Sequence, residues 1–273
     1  MDHLEFYNLR EQPFSNSIDN KYFFENSQHA QALVRLKYAV DSLKGLAVVV
    51  GGVGTGKTTL ARRMLNELDE TKYEAALLVV IHTSVTTDWL MKKIAMQLGI
   101  KDVAESKLEI LSQLYKRLME IHEAGMKTVV LMDEAQMLES REIMEEFRGL
   151  LNMECNEGKL LTLILFGLPE LDDVLALDEP LKQRVAVKYK LTGLEENITS
   201  QYIEHRLRVA GCKEQIFSPE SITAVHHYTK GIPRLINTIC DNAIFEGFLL
   251  KQKPIGKDII DSVTATLDLE AEV

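Results

Sequence analysis

The octapeptide Gly51-Gly-Val-Gly-Thr-Gly-Lys57-Thr58 fits G-x-x-x-x-G-K-[ST] at every fixed position. It follows the apolar run Leu46-Ala-Val-Val-Val50 and opens a helical pattern over residues 57–68. Strand, glycine-rich turn and helix in that order make a cradle for phosphate. Glycines let the backbone curl, its N–H groups face inward, and the helix N-terminus adds about half a positive charge. In this reading Gly51, Gly52, Val53, Gly54, Thr55 and Gly56 surround the phosphates. Lys57 reaches the β- and γ-phosphates, the Thr58 hydroxyl ligates Mg²⁺, and Thr59 donates to the α-phosphate. ATP and Mg²⁺ are the expected cofactors.

A second signal lies 75 residues on. Val129-Val-Leu-Met-Asp133-Glu134 sets two carboxylates at the end of an apolar strand. In a parallel sheet that end faces the same crevice as the phosphate loop. Asp133 is expected in the Mg²⁺ shell. Glu134 is expected to polarise the attacking water, a base contribution of about 10²–10⁴ in rate. A water-activating glutamate favours hydrolysis over transfer to another acceptor. The run Asp133-Glu-Ala-Gln136 also resembles the DEAD-type helicase motif, but such helicases need two cores and only one is present here.

Around these motifs the apolar runs 46–50, 75–81, 128–132, 160–166 and 185–191 read as five strands. Helical patterns over 28–43, 57–68, 88–125 (two helices) and 140–155 separate them, which predicts a parallel sheet covered on both faces. The pattern changes near Leu194. Residues 196–210, 219–230, 233–250 and 257–267 all read as helices, with Ser218 before Pro219 as an N-cap and first-turn proline. The expected fold is α/β: a three-layer phosphate-loop core with a five-stranded parallel sheet over 1–193, including an aromatic N-terminal arm, then a small all-helical domain over 194–273.

Formal net charge is −10, a sign that repels nucleic-acid backbones and anionic lipid on average while leaving room for a local basic patch. The N-terminus has no basic segment followed by an apolar run, and no stretch approaches the roughly 20 apolar residues of a membrane span. A soluble, cytoplasmic chain is expected, reaching a membrane only through a partner. Cys155, Cys212 and Cys240 show no zinc spacing and read as idle thiols. Adjacent His226 and His227 point in different directions on a helix and do not suggest a metal site.

The helical tail carries Gly231-Ile-Pro233-Arg234-Leu-Ile-Asn237, which with the two motifs above resembles the AAA+ ATPases. Four further segments are similar to the ExeA-type (general secretion pathway protein A) branch: Phe6-Tyr-Asn-Leu-Arg-Glu-Gln-Pro13-Phe14, Gly167-Leu-Pro-Glu-Leu171, Leu181-Lys-Gln-Arg184, and Tyr202-Ile-Glu-His-Arg-Leu-Arg-Val-Ala-Gly211. The resemblance runs over nearly the whole chain. It implies that Arg234 is a sensor 2 arginine reaching the γ-phosphate from the helical lid. It also implies that Arg184 is an arginine finger for a neighbouring subunit, worth about 10³–10⁵ in rate in the best-known cases. Arg141 and Arg148 compete for that finger. The aromatic arm either covers the adenine or simply packs. One position departs from the pattern: Leu168 stands where the family usually has glutamine, and leucine neither donates to phosphate nor orients water. That leaves the sensor 1 role open and slow hydrolysis among the expectations. Family members often continue into a membrane span and a peptidoglycan-binding domain, neither of which this sequence contains.

The resulting expectation is a self-associating ATPase that assembles or remodels a protein complex in secretion, pilus or envelope-polymer assembly. Its partners would be further copies of itself and a protein client or membrane-associated assembly component. The alternatives are a DNA-transposition or DNA-loading ATPase, disfavoured by charge, and a slow nucleotide-gated scaffold.

Overall fold

The computed structural model describes residues 2–17 and 19–269; the last four residues of the expected helical domain lie outside it. The chain divides into two compact units. One comprises Ser27–Val53 and Lys57–Leu191, and the other Met1–Asn26, Gly54–Gly56 and Thr192–Val273.

The first unit is built on strands β1 (Leu46–Gly51), β2 (Tyr73–Val79), β3 (Lys127–Asp133), β6 (Leu161–Gly167) and β7 (Val185–Leu191). They form a five-stranded sheet in the order β2-β3-β6-β1-β7, every neighbouring pair parallel. Between β3 and β6 lies a small antiparallel hairpin, β4 (Glu154–Cys155) with β5 (Gly158–Lys159). Alternation along β1 shows why the layers form. Leu46, Val48 and Val50 pack in one core with Leu90, Ile94, Leu114 and Phe147, while Ala47 and Val49 pack in another with Leu36, Val40, Leu60 and Met64. Period-two geometry sends successive side chains to opposite faces, and helices cover both. The edge strand β7 alternates half-buried Val185, Val187 and Tyr189 with exposed Ala186, Lys188 and Lys190, a pattern that discourages further pairing at the edge.

Differences from the sequence expectations are local. The helix anticipated over 140–155 spans Arg141–Leu150, since the hairpin takes over the residues that follow. The second strand starts two residues earlier, because Tyr73 pairs with Lys127. Leu171–Leu175 and Glu179–Lys182 form short helices with too few turns to show periodicity. Cys155 is less isolated than its sequence spacing implied: its Sγ lies 3.5 Å from His122 Nε2, which also meets Glu157 at 2.7 Å.

In the second unit, helices Glu196–Val209, Pro219–Thr229, Pro233–Leu249 and Lys257–Thr266 surround Ile203, Val225, Ile236, Ile244 and Ile260. The Ser218 side chain accepts from Ser221 N–H, with Pro219 in the first turn. The aromatic arm, expected with the sheet domain, belongs by its contacts to this helical unit. Tyr7 and Phe14 are buried in its core, and the Tyr7 hydroxyl donates to Gln252 O at 2.9 Å. Arg206, only 6% exposed, donates to Pro13 O at 2.6 Å, Ser15 O at 2.9 Å and the Tyr202 hydroxyl at 2.9 Å, and its guanidinium lies over the Tyr22 ring. Two aromatic anchors and one buried cation hold the arm, an attachment that a reading of its irregular backbone leaves out. Gly231 fits where no other residue does: a Cβ there would lie 1.9 Å from Leu194 O, beside the hydrogen bond from Leu194 N–H to Gly231 O. No helix among the described residues is long and apolar enough to cross a membrane.

Candidate active site

Strand β1 ends at Gly51 and a helix begins at Lys57, so the loop between them is short and tightly curled. Gly54 and Gly56 have φ of +78° and +99°, a region that side-chain-bearing residues rarely occupy. The Lys57 ammonium folds back over the loop, donating to Gly51 O at 2.9 Å and Gly52 O at 3.0 Å, and the residue is buried. Val53 at the loop tip is exposed, while Thr55 is buried. Thr58 and Thr59 occupy the first turn of the helix, half-buried.

Asp133, the last residue of β3, is 1% exposed. Its Oδ1 accepts from Glu134 N–H at 3.0 Å, and the Thr58 hydroxyl lies near its carboxylate. Its Oδ2 is buried with no hydrogen-bond partner. Burial pushes the Asp133 carboxyl above the ordinary carboxylate range, and the nearby Thr58 hydroxyl, the Glu134 N–H and the Lys57 charge only partly offset this. A buried carboxylate oxygen without a donor costs free energy unless a cation meets it. The pair Thr58 hydroxyl and Asp133 carboxylate is the all-oxygen donor set that Mg²⁺ takes alongside phosphate and water. These residues fit the metal.

Glu134 is half-buried, with φ of +57°. Left-handed backbone is uncommon for a residue with a Cβ, and such positions concentrate at functional sites. Its Oε2 accepts from Gln136 Nε2 at 2.7 Å. Gln136 stood in the sequence only as one letter of a helicase-like motif; its contact with Glu134 is visible only in three dimensions.

The arginines sort differently. Arg148 donates to the buried Asp178 carboxylate at 3.1 Å, and Asp178 caps the helix at Glu179. That is a structural anchor. Arg141 pairs with Glu145 one turn on. Half-buried Arg184 donates to the neutral Asn152 amide oxygen at 2.6 Å. The nearby Glu154 carboxyl is held below its usual range chiefly by its Lys159 hydrogen bond, with a smaller part from Arg184. Arg234 is exposed at the start of the Pro233–Leu249 helix. Gly54–Gly56 belong with the helical unit: Arg234 N–H approaches Gly54 O at 3.4 Å, and a Cβ on Gly54 would lie 2.8 Å from Arg234 Cβ.

The comparisons agree with this geometry. A family described as "AAA domain" matches residues 40–175. General secretion pathway protein A of Aeromonas hydrophila is 36% identical over 247 residues, covering 89% of this chain and 44% of that protein. The chain thus spans less than half the length of the curated relative it matches. Among solved structures, Cdc6p from Pyrobaculum aerophilum superposes with a TM-score of 0.71 at 18% identity, covering 96% of this chain and 71% of that one. The Aeropyrum pernix ORC2 protein, in ADPNP-ADP complexes, gives a TM-score of 0.70 at 16% identity, covering 96% and 74%. At those identities the structural likeness speaks to fold alone. The phosphate loop, the paired carboxylates, the five-stranded sheet with its helical companion and the extended sequence match together place this chain among the AAA+ ATPases, in the ExeA-type branch of general secretion pathway protein A.

Proposed function

We propose that this chain binds Mg²⁺·ATP on the loop 51–58 and hydrolyses it, using the cycle to assemble or remodel a protein complex. Thr58 and Asp133 hold the metal, which supplies charge to neutralise the phosphates. Lys57 turns from the loop carbonyls to the β- and γ-phosphates. Glu134 draws a proton from the attacking water. Arg234 serves the γ-phosphate of its own subunit, and Arg184 serves that of a neighbour in an ATP-dependent homo-oligomer. The observation that carries the reading is the buried Asp133 carboxylate, one oxygen bonded and the other without a donor, with the Thr58 hydroxyl beside it. Such an arrangement is costly unless a cation completes it.

The client process is proposed from the match to general secretion pathway protein A. We place the chain at the inner face of a membrane, next to a secretion or envelope-assembly partner. The test is turnover of the purified protein with ATP, with and without Mg²⁺, together with Glu134→Gln. Turnover that needs Mg²⁺ and falls at least about 100-fold in Glu134→Gln supports the reading. Wild-type turnover in that variant removes Glu134 from its role.

A further inference from the structure

Gln136 lies in the short turn after β3 and is 8% exposed. Its two amide ends have different partners. Nε2 donates to Glu134 Oε2 at 2.7 Å, and Oε1 accepts from Leu168 N–H at 3.1 Å. The orientation of the amide follows from chemistry: an ionised carboxylate only accepts, and a backbone N–H only donates. Room for the amide depends on a glycine next to that N–H, since a Cβ on Gly167 would lie 2.9 Å from Gln136 Oε1. One buried side chain therefore bridges the end of β3 to the end of β6.

We propose that Gln136 is a positioning residue that fixes the Glu134 carboxylate for water activation and ties it to the main chain at Leu168. This rests on Glu134 being the base. A glutamate side chain has three rotatable bonds, and Glu134 is only half-buried. Engaging Oε2 pins the carboxylate while leaving Oε1 to accept from water. A misplacement of about 1 Å at such a group costs about 100-fold in rate, so a single buried donor at 2.7 Å carries weight.

The bridge also gives position 168 a part that its side chain cannot play. Leucine offers no side-chain donor to phosphate or water. Its backbone N–H holds the Gln136 amide all the same, and the amide holds the carboxylate. The end of β6 reaches the water-activating group through the main chain, so the link does not depend on the side chain at position 168.

The test uses the full chain and two variants. Gln136→Glu is isosteric and keeps an acceptor for Leu168 N–H, but it cannot donate to Glu134 when ionised. Gln136→Ala removes both contacts. Turnover at saturating Mg²⁺·ATP, affinity for a fluorescent ATP analogue and the thermal midpoint are measured for each. Both variants are expected to lose at least about tenfold in turnover with nucleotide affinity within about twofold of wild type. Because the pair acts as a unit, adding Gln136→Glu to Glu134→Gln is expected to cost less than about twofold further in residual turnover. Wild-type turnover in Gln136→Glu, with Glu134→Gln inactive, overturns the proposal and leaves the base assignment standing. Equal losses of affinity and turnover in Gln136→Glu also overturn it, since they mark a structural or nucleotide-binding role. Undiminished turnover in Glu134→Gln itself sinks the underlying reading instead.

Discussion

The side chain of Thr58, in the first turn after the phosphate loop, lies beside the carboxylate of Asp133 at the far end of β3. A hydroxyl and a buried acid thus meet at one point, and burial makes the Asp133 charge expensive in the absence of a cation. Burial raises its carboxyl, so the folded state holds the proton more tightly than the unfolded chain does. Stability linked to this group is present below the unfolded carboxylate range and is lost as pH rises through the raised value. Asp133→Asn removes the buried charge. At neutral pH the ligand-free variant is expected to unfold at a higher temperature than wild type, while the extra stabilisation that Mg²⁺ adds to ATP disappears. Thermal unfolding with ATP, with and without Mg²⁺, checks both halves; a variant still stabilised further by Mg²⁺ removes Asp133 from the metal shell.

Lys57 is the second buried charge, and its ammonium is satisfied by carbonyls of its own loop. Lys57→Ala is expected to abolish ATP binding. Leaving buried acceptors without a donor is also expected to cost about 1–3 kcal/mol of stability. Nucleotide titration together with urea unfolding separates the effects. ATP binding at wild-type affinity in this variant would contradict the phosphate role.

Much of this is legible in the sequence. The loop 51–58 announces itself because every residue type in it is demanded by backbone geometry or phosphate charge. The five strands are legible because those of a doubly covered sheet must be nearly continuous apolar runs. What stayed hidden depends on partners distant in sequence. Nothing local in Phe6, Tyr7 or Phe14 tells that they belong with the helices after residue 195; that follows from Arg206 reaching Pro13 and Ser15. The hairpin at 154–159 is too short for a periodic signal. Gln136 was readable as a letter but not as a bridge, because Leu168 lies 32 residues away.

Arg184 carries the prediction about self-association. Its guanidinium meets a neutral amide, so a phosphate of a neighbouring subunit could compete for it without first breaking a direct ion pair with a carboxylate. If Arg184 acts in trans, hydrolysis per subunit rises with protein concentration. Arg184→Ala is expected to flatten that rise, with ATP affinity within about twofold of wild type. Turnover measured across a concentration series alongside light scattering checks this. A concentration-independent rate with monomers in ATP counts against the finger.

Arg206 tests the arm. Its removal strips donors from Pro13 O, Ser15 O and the Tyr202 hydroxyl in a buried place. Hydrogen bonds to charged groups are worth about 1.5–3 kcal/mol each, with partial relaxation on loss. Arg206→Ala is therefore expected to lower stability by about 2–3 kcal/mol and to expose residues 9–24 to protease before the rest of the chain. An unchanged unfolding midpoint and an arm as resistant as in wild type would mean that the aromatic anchors Tyr7 and Phe14 suffice.

The last prediction decides between protein remodelling and DNA work. Non-specific affinity for duplex DNA comes mainly from lysine and arginine displacing counterions from phosphates. This chain carries a net charge of −10. Of two closely spaced basic pairs in the second half of the sequence, Arg206 with Arg208 loses its first member to the arm, where it is buried and fully engaged. The other, Lys182 with Arg184, has Arg184 donating to Asn152 and lies within the electrostatic reach of Glu154. Neither pair presents the run of uncommitted cations that several phosphate contacts need. DNA binding is expected to be weaker than about 1 µM at physiological salt, with turnover changed by less than about twofold on adding duplex. Filter binding and ATPase assays at fixed salt, with ATP and with a non-hydrolysable analogue, provide the check. Tight loading onto duplex that requires ATP would promote the DNA-loading alternative, because it would show that assembly of several copies creates a basic surface for duplex.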